Sequence, residues 1–178
     1  MGRKIKELDK LLEQPVIDSD NAPHALNPEL PTAVIFVNYI SVGMHTLLSI
    51  MRLFPDQFKN FVFVSVGVVD SQSYSGEHEL EHMQSEVDKT LDYFVKYCSQ
   101  YQIPAEGYAG FGTDPVDELK RLADAVGAKY PHAIFFASQL VFSHENLITR
   151  ALHNQIPLTL QHYLHFRGKE LMILPMKL

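Results

Sequence analysis

From Thr32 onward, short apolar runs alternate with segments whose apolar residues recur every three or four positions. Thr32–Val37 (TAVIFV), Asn60–Val69 (NFVFVSVGVV) and His132–Ala137 (HAIFFA) are nearly continuous apolar runs rich in β-branched and aromatic residues. Such runs predict strands covered on both faces. Ala105–Phe111 (AEGYAGF) is a weaker strand suited to a sheet edge, and Glu170–Leu174 (ELMIL) is the last one. Between them, Gly43–Phe54 is helical and stopped by Pro55. Gly76–Tyr101 is a long helix, with Leu80, Met83, Val87, Leu91, Phe94, Val95 and Cys98 at helical spacing. Asp114 caps a third helix that has Pro115 at its first position and runs to about Lys129. Asn146–Phe166 is a fourth, containing Pro157, a residue able to break it. The order βαβαβαβαβ predicts a three-layer α/β/α domain: a five-stranded parallel sheet, helices on both faces, right-handed crossovers.

Residues 3–13 place Ile5, Leu8, Leu11 and Leu12 on one face of a short basic amphipathic helix. Pro15, Pro23, Pro28 and Pro31 then block both helix and central strand, so 15–31 reads as a linker between a 1–14 helical segment and a 32–178 domain. In open parallel sheets ligands bind beyond the carboxyl ends of the strands, where the strand order reverses. The candidate surfaces are therefore Asn38–Met44, Asp70–Ser75, Gly110–Asp114 and Ser138–Glu145.

With 178 residues, 46% of them hydrophobic, the chain can build one substantial core. A net charge of −6 argues against a general nucleic-acid binder, which needs a basic face for phosphates. Cys98 is the sole cysteine, so no intramolecular disulfide forms, and its apolar helical setting fits a small buried hydrophobe. The opening residues lead into a charged helix rather than a secretory signal, and Phe61–Val69 falls far short of a membrane span.

His78-Glu79-Leu80-Glu81-His82 matches HExxH, the spacing at which two histidines on a helix share zinc. Here it sits among Glu77, Glu86 and Asp88 with no third ligand suggested, so an ordinary acidic helix start is expected and no metal. Gly43-Met44-His45-Thr46 can offer helix N–H groups and an imidazole to an anion; alternatively Gly43 makes a tight turn and His45 packs locally. Ser138, Gln139, Ser143, His144 and Glu145 form either a binding lip past the fourth strand or a plain helix start. Asp70-Ser71 reads as a turn, and Gly112 as backbone geometry with a ligand role as the alternative. The candidate ligand contacts are thus Asn38, Gly43, His45, Asp70, Gly112, Ser138, Gln139 and His144. No P-loop, GxGxxG, GxSxG or CxxC occurs, and no nucleophile or acid–base pair can be named. The chain is expected not to be an enzyme, with no catalytic residue and no cofactor.

The order and lengths of the elements from about Pro31 fit the universal stress protein fold (adenine nucleotide alpha hydrolase-like). Several strings bear a closer resemblance: Gly43-x-His45-Thr46-Leu47-Leu48, Arg52-Leu53-Phe54-Pro55, Phe58 to Ser71, Phe142-x-His144-Glu145 and Leu152-His153-Asn154. They look like the cytosolic C-terminal domain of bacterial permeases of the amino acid–polyamine–organocation superfamily. That resemblance implies a non-catalytic regulatory or interaction domain on the cytoplasmic side of the bacterial inner membrane. Arg3, Lys4, Lys6 and Lys10 would then lie just beneath the bilayer. The implied partners are the parent transporter's membrane domain, a second copy paired through the last strand, and a small anionic ligand. Many stress proteins that bind ATP carry a glycine-rich string after strand four and an acid after strand one. Here Ser138 to His144 lacks glycine and Asn38 replaces the acid, which disfavours ATP. The alternative is a free-standing stress-type protein binding a nucleotide or cyclic dinucleotide between the first and fourth strands.

Overall fold

Thr32–Phe36 forms the first strand, β1, where Thr32, Ala33, Val34 and Ile35 are wholly buried and side chains pass alternately to the two faces. The computed structural model describes residues 25–69, 76–141 and 147–177, except for the side chains of 139–141, 147–154 and 177. The segment expected as a basic helix, 1–14, and most of the linker lie outside the described residues.

After β1 the chain forms α1 (Ile40–Leu53), β2 (Asn60–Val68), α2 (Glu77–Gln100), β3 (Ala105–Gly112) and α3 (Pro115–Lys129). It continues through β4 (Ala133–Val141), α4 (Leu147–His165) and β5 (Glu170–Lys177). The strands lie in the order β3-β2-β1-β4-β5, and every pairing is parallel. The expected five-stranded α/β/α architecture is present, with β3 at an edge.

Alternation along the strands makes two cores. Ala33, Ile35 and Val37 meet Met44, Leu47 and Ile50 of α1 and Val87, Leu91, Phe94 and Cys98 of α2. On the other face Val34, Val62 and Val64 meet Leu122 and Val126 of α3 and Leu160 and Leu164 of α4. Asp114 caps α3 as expected, its carboxylate accepting from the N–H groups of Val116 (2.8 Å) and Asp117 (3.2 Å).

Three boundaries differ from the sequence expectation. α1 begins at Ile40 rather than Gly43, so Gly43 lies in the helix and not in the turn. α4 keeps the expected extent and runs through Pro157 as one helix. β4 and β5 run on to Val141 and Lys177, because Ala137 to Val141 pair with Ile173 to Lys177. Pro175 is tolerated there because β5 is an edge strand.

The incoming chain is pinned to the amino-terminal edge of the sheet. Asn60 Nδ2 donates to the Asn27 carbonyl (2.7 Å) and to Thr32 Oγ1 (3.0 Å), and Lys59 N–H donates to the Pro31 carbonyl (2.9 Å).

Candidate functional site

β1 is short and its neighbours are long. Its last pairings are Phe36 with Val64 and Ile35 with Phe136. Beyond them β2 continues through Ser65–Val68, bonded to β3, and β4 through Ala137–Val141, bonded to β5. At about 3.3 Å per residue, the two flanking strand pairs overhang β1 by roughly 13–17 Å. A notch results at the carboxyl end of β1, where the strand order reverses.

Val37 ends the floor of the notch, donating its N–H to the Val64 carbonyl at 2.8 Å. Asn38 and Tyr39 follow, both exposed, Tyr39 by 66%. Tyr39 is the helix cap residue in extended conformation, and its side chain makes no capping bond.

The first intrahelical bond of α1 engages Gly43 itself. Gly43 N–H donates to the Tyr39 carbonyl at 2.9 Å, and the Thr46 hydroxyl donates to the Val42 carbonyl at 3.0 Å. Gly43 is buried, and a Cβ there would stand 2.4 Å from Phe94 Cζ and 2.8 Å from Val37 Cγ1. Glycine here lets α1 approach α2 and β1; it does not open a cradle for a ligand. His45 points to solvent one residue past Met44, which is buried in the core.

Ser138 is half-buried on β4 opposite Leu174, and β4 adjoins β1, so the fold brings Asn38 and Ser138 to the same notch. Gln139 follows Ser138 on the strand. Gly112 is not part of this group: it ends β3, two strands from β1 and so about 10 Å away across the sheet. A Cβ on Gly112 would meet Glu118 Cγ at 2.8 Å, which gives that glycine a packing role against α3. Asp70 and His144 lie outside the described residues.

The helix starts along this edge set its charge. α1 has no acid in its first turn, whereas α2 carries Glu77 and Glu79 and α3 carries Asp117 and Glu118 after Asp114. These acids stabilise their own helix termini and make the edge less hospitable to a polyanion. The HExxH string lies here with His78, Glu79 and His82 exposed, and among the described residues no three ligating side chains cluster.

Two polar networks were not foreseen from the sequence. On edge strand β3, Glu106 accepts from Tyr108 Oη (2.6 Å), Lys129 Nζ (2.8 Å) and Tyr130 Oη. Burial alone would push the Glu106 carboxyl up, but these donors outweigh it and hold the group below its usual range. Between α3 and α4, Asp124 accepts from Tyr163 Oη and pairs with Arg167 (3.1 Å), whose guanidinium lies 3.6 Å from the centre of the Tyr163 ring. The only clue in sequence was the spacing of Glu106 and Tyr108, which puts both on one face of a strand. Cys98 is fully buried, and burial pushes its thiol up to about 12, as fits a core residue.

The chain matches no family model and no curated protein. It is similar in structure to a protein from the universal stress protein family from Burkholderia pseudomallei, with a TM-score of 0.54 and 14% identity. The match covers 82% of this chain and 96% of that one. Sheet order, layers and this likeness together define a universal stress protein-like α/β fold. No helix among the described residues is long and apolar enough to cross a membrane.

Proposed function

We propose that the chain is a non-catalytic cytosolic regulatory or interaction domain of an amino acid permease-type transporter, hung from its N-terminal segment. The observation that carries this reading is where the chain enters. Asn27 and Pro31 are fastened to Asn60 and Lys59 at the amino-terminal edge, so a tether arrives on the side opposite the notch. A domain suspended in this way leaves the notch facing the cytosol. The permease-like strings and the basic N-terminal pattern support the same reading, and the edge position of β5 leaves a strand available to a second copy. The coding sequence upstream of Met1 tests the reading: an in-frame segment of several membrane spans is expected, and a stop codon there contradicts it.

One feature favours the alternative of a free-standing nucleotide or cyclic dinucleotide binder. Exposed Asn38 and Tyr39 follow β1 at the notch that β4, carrying half-buried Ser138, borders. Calorimetric titration with ATP and cyclic dinucleotides separates the two readings. The transporter reading expects no saturable heat, whereas micromolar binding lost in Ser138→Ala would establish the alternative.

A further inference from the structure

A groove of about 390 Å³ lies at the other end of the sheet, between the C-terminus of α1, the α1–β2 connection and the α2–β3 connection. β2 runs from Phe61 beside the groove to Val68 beside the notch, so roughly 25 Å separate the two. The groove therefore stands apart from the notch, at the opposite end of the sheet.

Its apolar side is built by Phe54, Phe58, Phe61 and Ile103. The aromatic walls are fixed by their own packing. Phe58 meets Phe54, Phe61 and Phe136 edge-on at centroid distances of 6.0, 6.4 and 5.6 Å, and Phe58 and Phe61 are 9% and 4% exposed. The volume falls in the range of small-molecule sites, roughly 300–1,000 Å³.

Two charges of opposite sign line the same groove, Asp56 and Lys59. Both are exposed, and among the described residues neither forms an ion pair or a side-chain hydrogen bond. Among the described residues the two non-glycines with positive φ, Asp56 (58°) and Gln102 (57°), both line it as well, one in each flanking turn. Gln102 follows the C-cap of α2, where its N–H and that of Ile103 return to the Ser99 and Cys98 carbonyls. Asp56 lies in the turn closed by Gln57 N–H on the Phe54 carbonyl, so hydrogen-bonded turns fix both rims of the groove.

The lining restricts the ligand by charge. A simple anion would meet Asp56, a simple cation would meet Lys59, and the backbone of an internal peptide residue carries neither an ammonium nor a carboxylate. A zwitterion answers both: its carboxylate pairs with Lys59 and its ammonium with Asp56. The aromatic wall then takes an apolar side chain. We propose that this groove binds a free α-amino acid with a large apolar side chain.

The test is a two-dimensional ¹⁵N–¹H NMR titration of the full chain with L-phenylalanine, N-acetyl-L-phenylalanine, L-phenylalaninamide and glycine, each to about 10 mM, since a modest site gives a Kd on the order of 1 mM. L-Phenylalanine is expected to shift the amides of Asp56–Phe61 and Gln102–Ile103 saturably. Each blocked analogue, having lost one charge, is expected to bind about tenfold more weakly or worse, and glycine not to saturate. Asp56→Asn and Lys59→Gln, both at exposed positions, should keep the dispersed spectrum and lose the response; asparagine tolerates the left-handed backbone. No saturable shift with any compound overturns the proposal. So does equal binding of free and blocked forms, or unchanged affinity in both variants.

Discussion

Replacing Gly43 by alanine adds one methyl group where the structure has least room. The new Cβ falls 2.4 Å from Phe94 Cζ, 3.1 Å from Phe94 Cε2 and 2.8 Å from Val37 Cγ1. Carbon atoms pack best near 3.5–4.0 Å, so at least one neighbour must move by about 1 Å. Phe94 has little freedom to do so: it is wholly buried, stacked on Phe63 at 4.8 Å and edge-on to Tyr93 at 5.6 Å. Val37 is tied into the sheet through Val64. Against this, alanine in a helix interior gains up to about 1 kcal/mol over glycine. Overpacking typically costs about 1–3 kcal/mol, and a 2.4 Å contact with a wholly buried ring belongs in the upper half of that range, so a net loss of about 1–2 kcal/mol is expected. For a chain of this size that lowers Tm by roughly 2–8 °C. Thermal melts and urea unfolding at constant m-value measure it. Adding Phe94→Leu should return part of the loss as a coupling energy, since the two positions touch. A Gly43→Ala protein as stable as the parent, or more so, would refute the packing and restore Gly43 as a residue held for a ligand.

The Glu106 carboxyl is held low, so its contribution is present above the unfolded value near pH 4.3 and is lost as pH falls through the folded value. Glu106→Gln should therefore flatten the acid limb of a urea-midpoint profile and cost about 1–2 kcal/mol at neutral pH; an unchanged limb would contradict the network. Cys98, its thiol pushed up to about 12 by burial, should resist Ellman's reagent in the native protein and react only on unfolding. A stoichiometric native burst would place it at the surface. Asp114→Ala should cost about 1 kcal/mol through the lost cap, while Asp114→Asn keeps most of it in the same denaturation assay.

The sheet is legible because the centres of its three apolar runs, Ala33–Ile35, Phe61–Val64 and Phe135–Ala137, are buried on both faces and so carry continuous apolar residues. The Asp114 cap was legible because side-chain capping is a local interaction. β4 was cut short because Ser138 and Gln139 read as loop; their strand state depends on β5, more than thirty residues on, an interaction no local window contains. Gly43 was misplaced for a related reason. Tyr39 supplies no side-chain cap, so nothing in the sequence announced a helix at Ile40, and the purpose of the glycine lies in Phe94 on another helix. The Glu106 network and the amino-edge groove join segments more than twenty residues apart, and only the fold reveals them.

The proposed function makes the chain the suspended cytosolic part of a transporter. Immunoblotting of native cells with an antibody against the α/β domain tests this directly. A species much larger than the 20.3 kDa of this chain, confined to membranes and resistant to carbonate extraction, is the predicted result. A single 20.3 kDa species in the soluble fraction would contradict it.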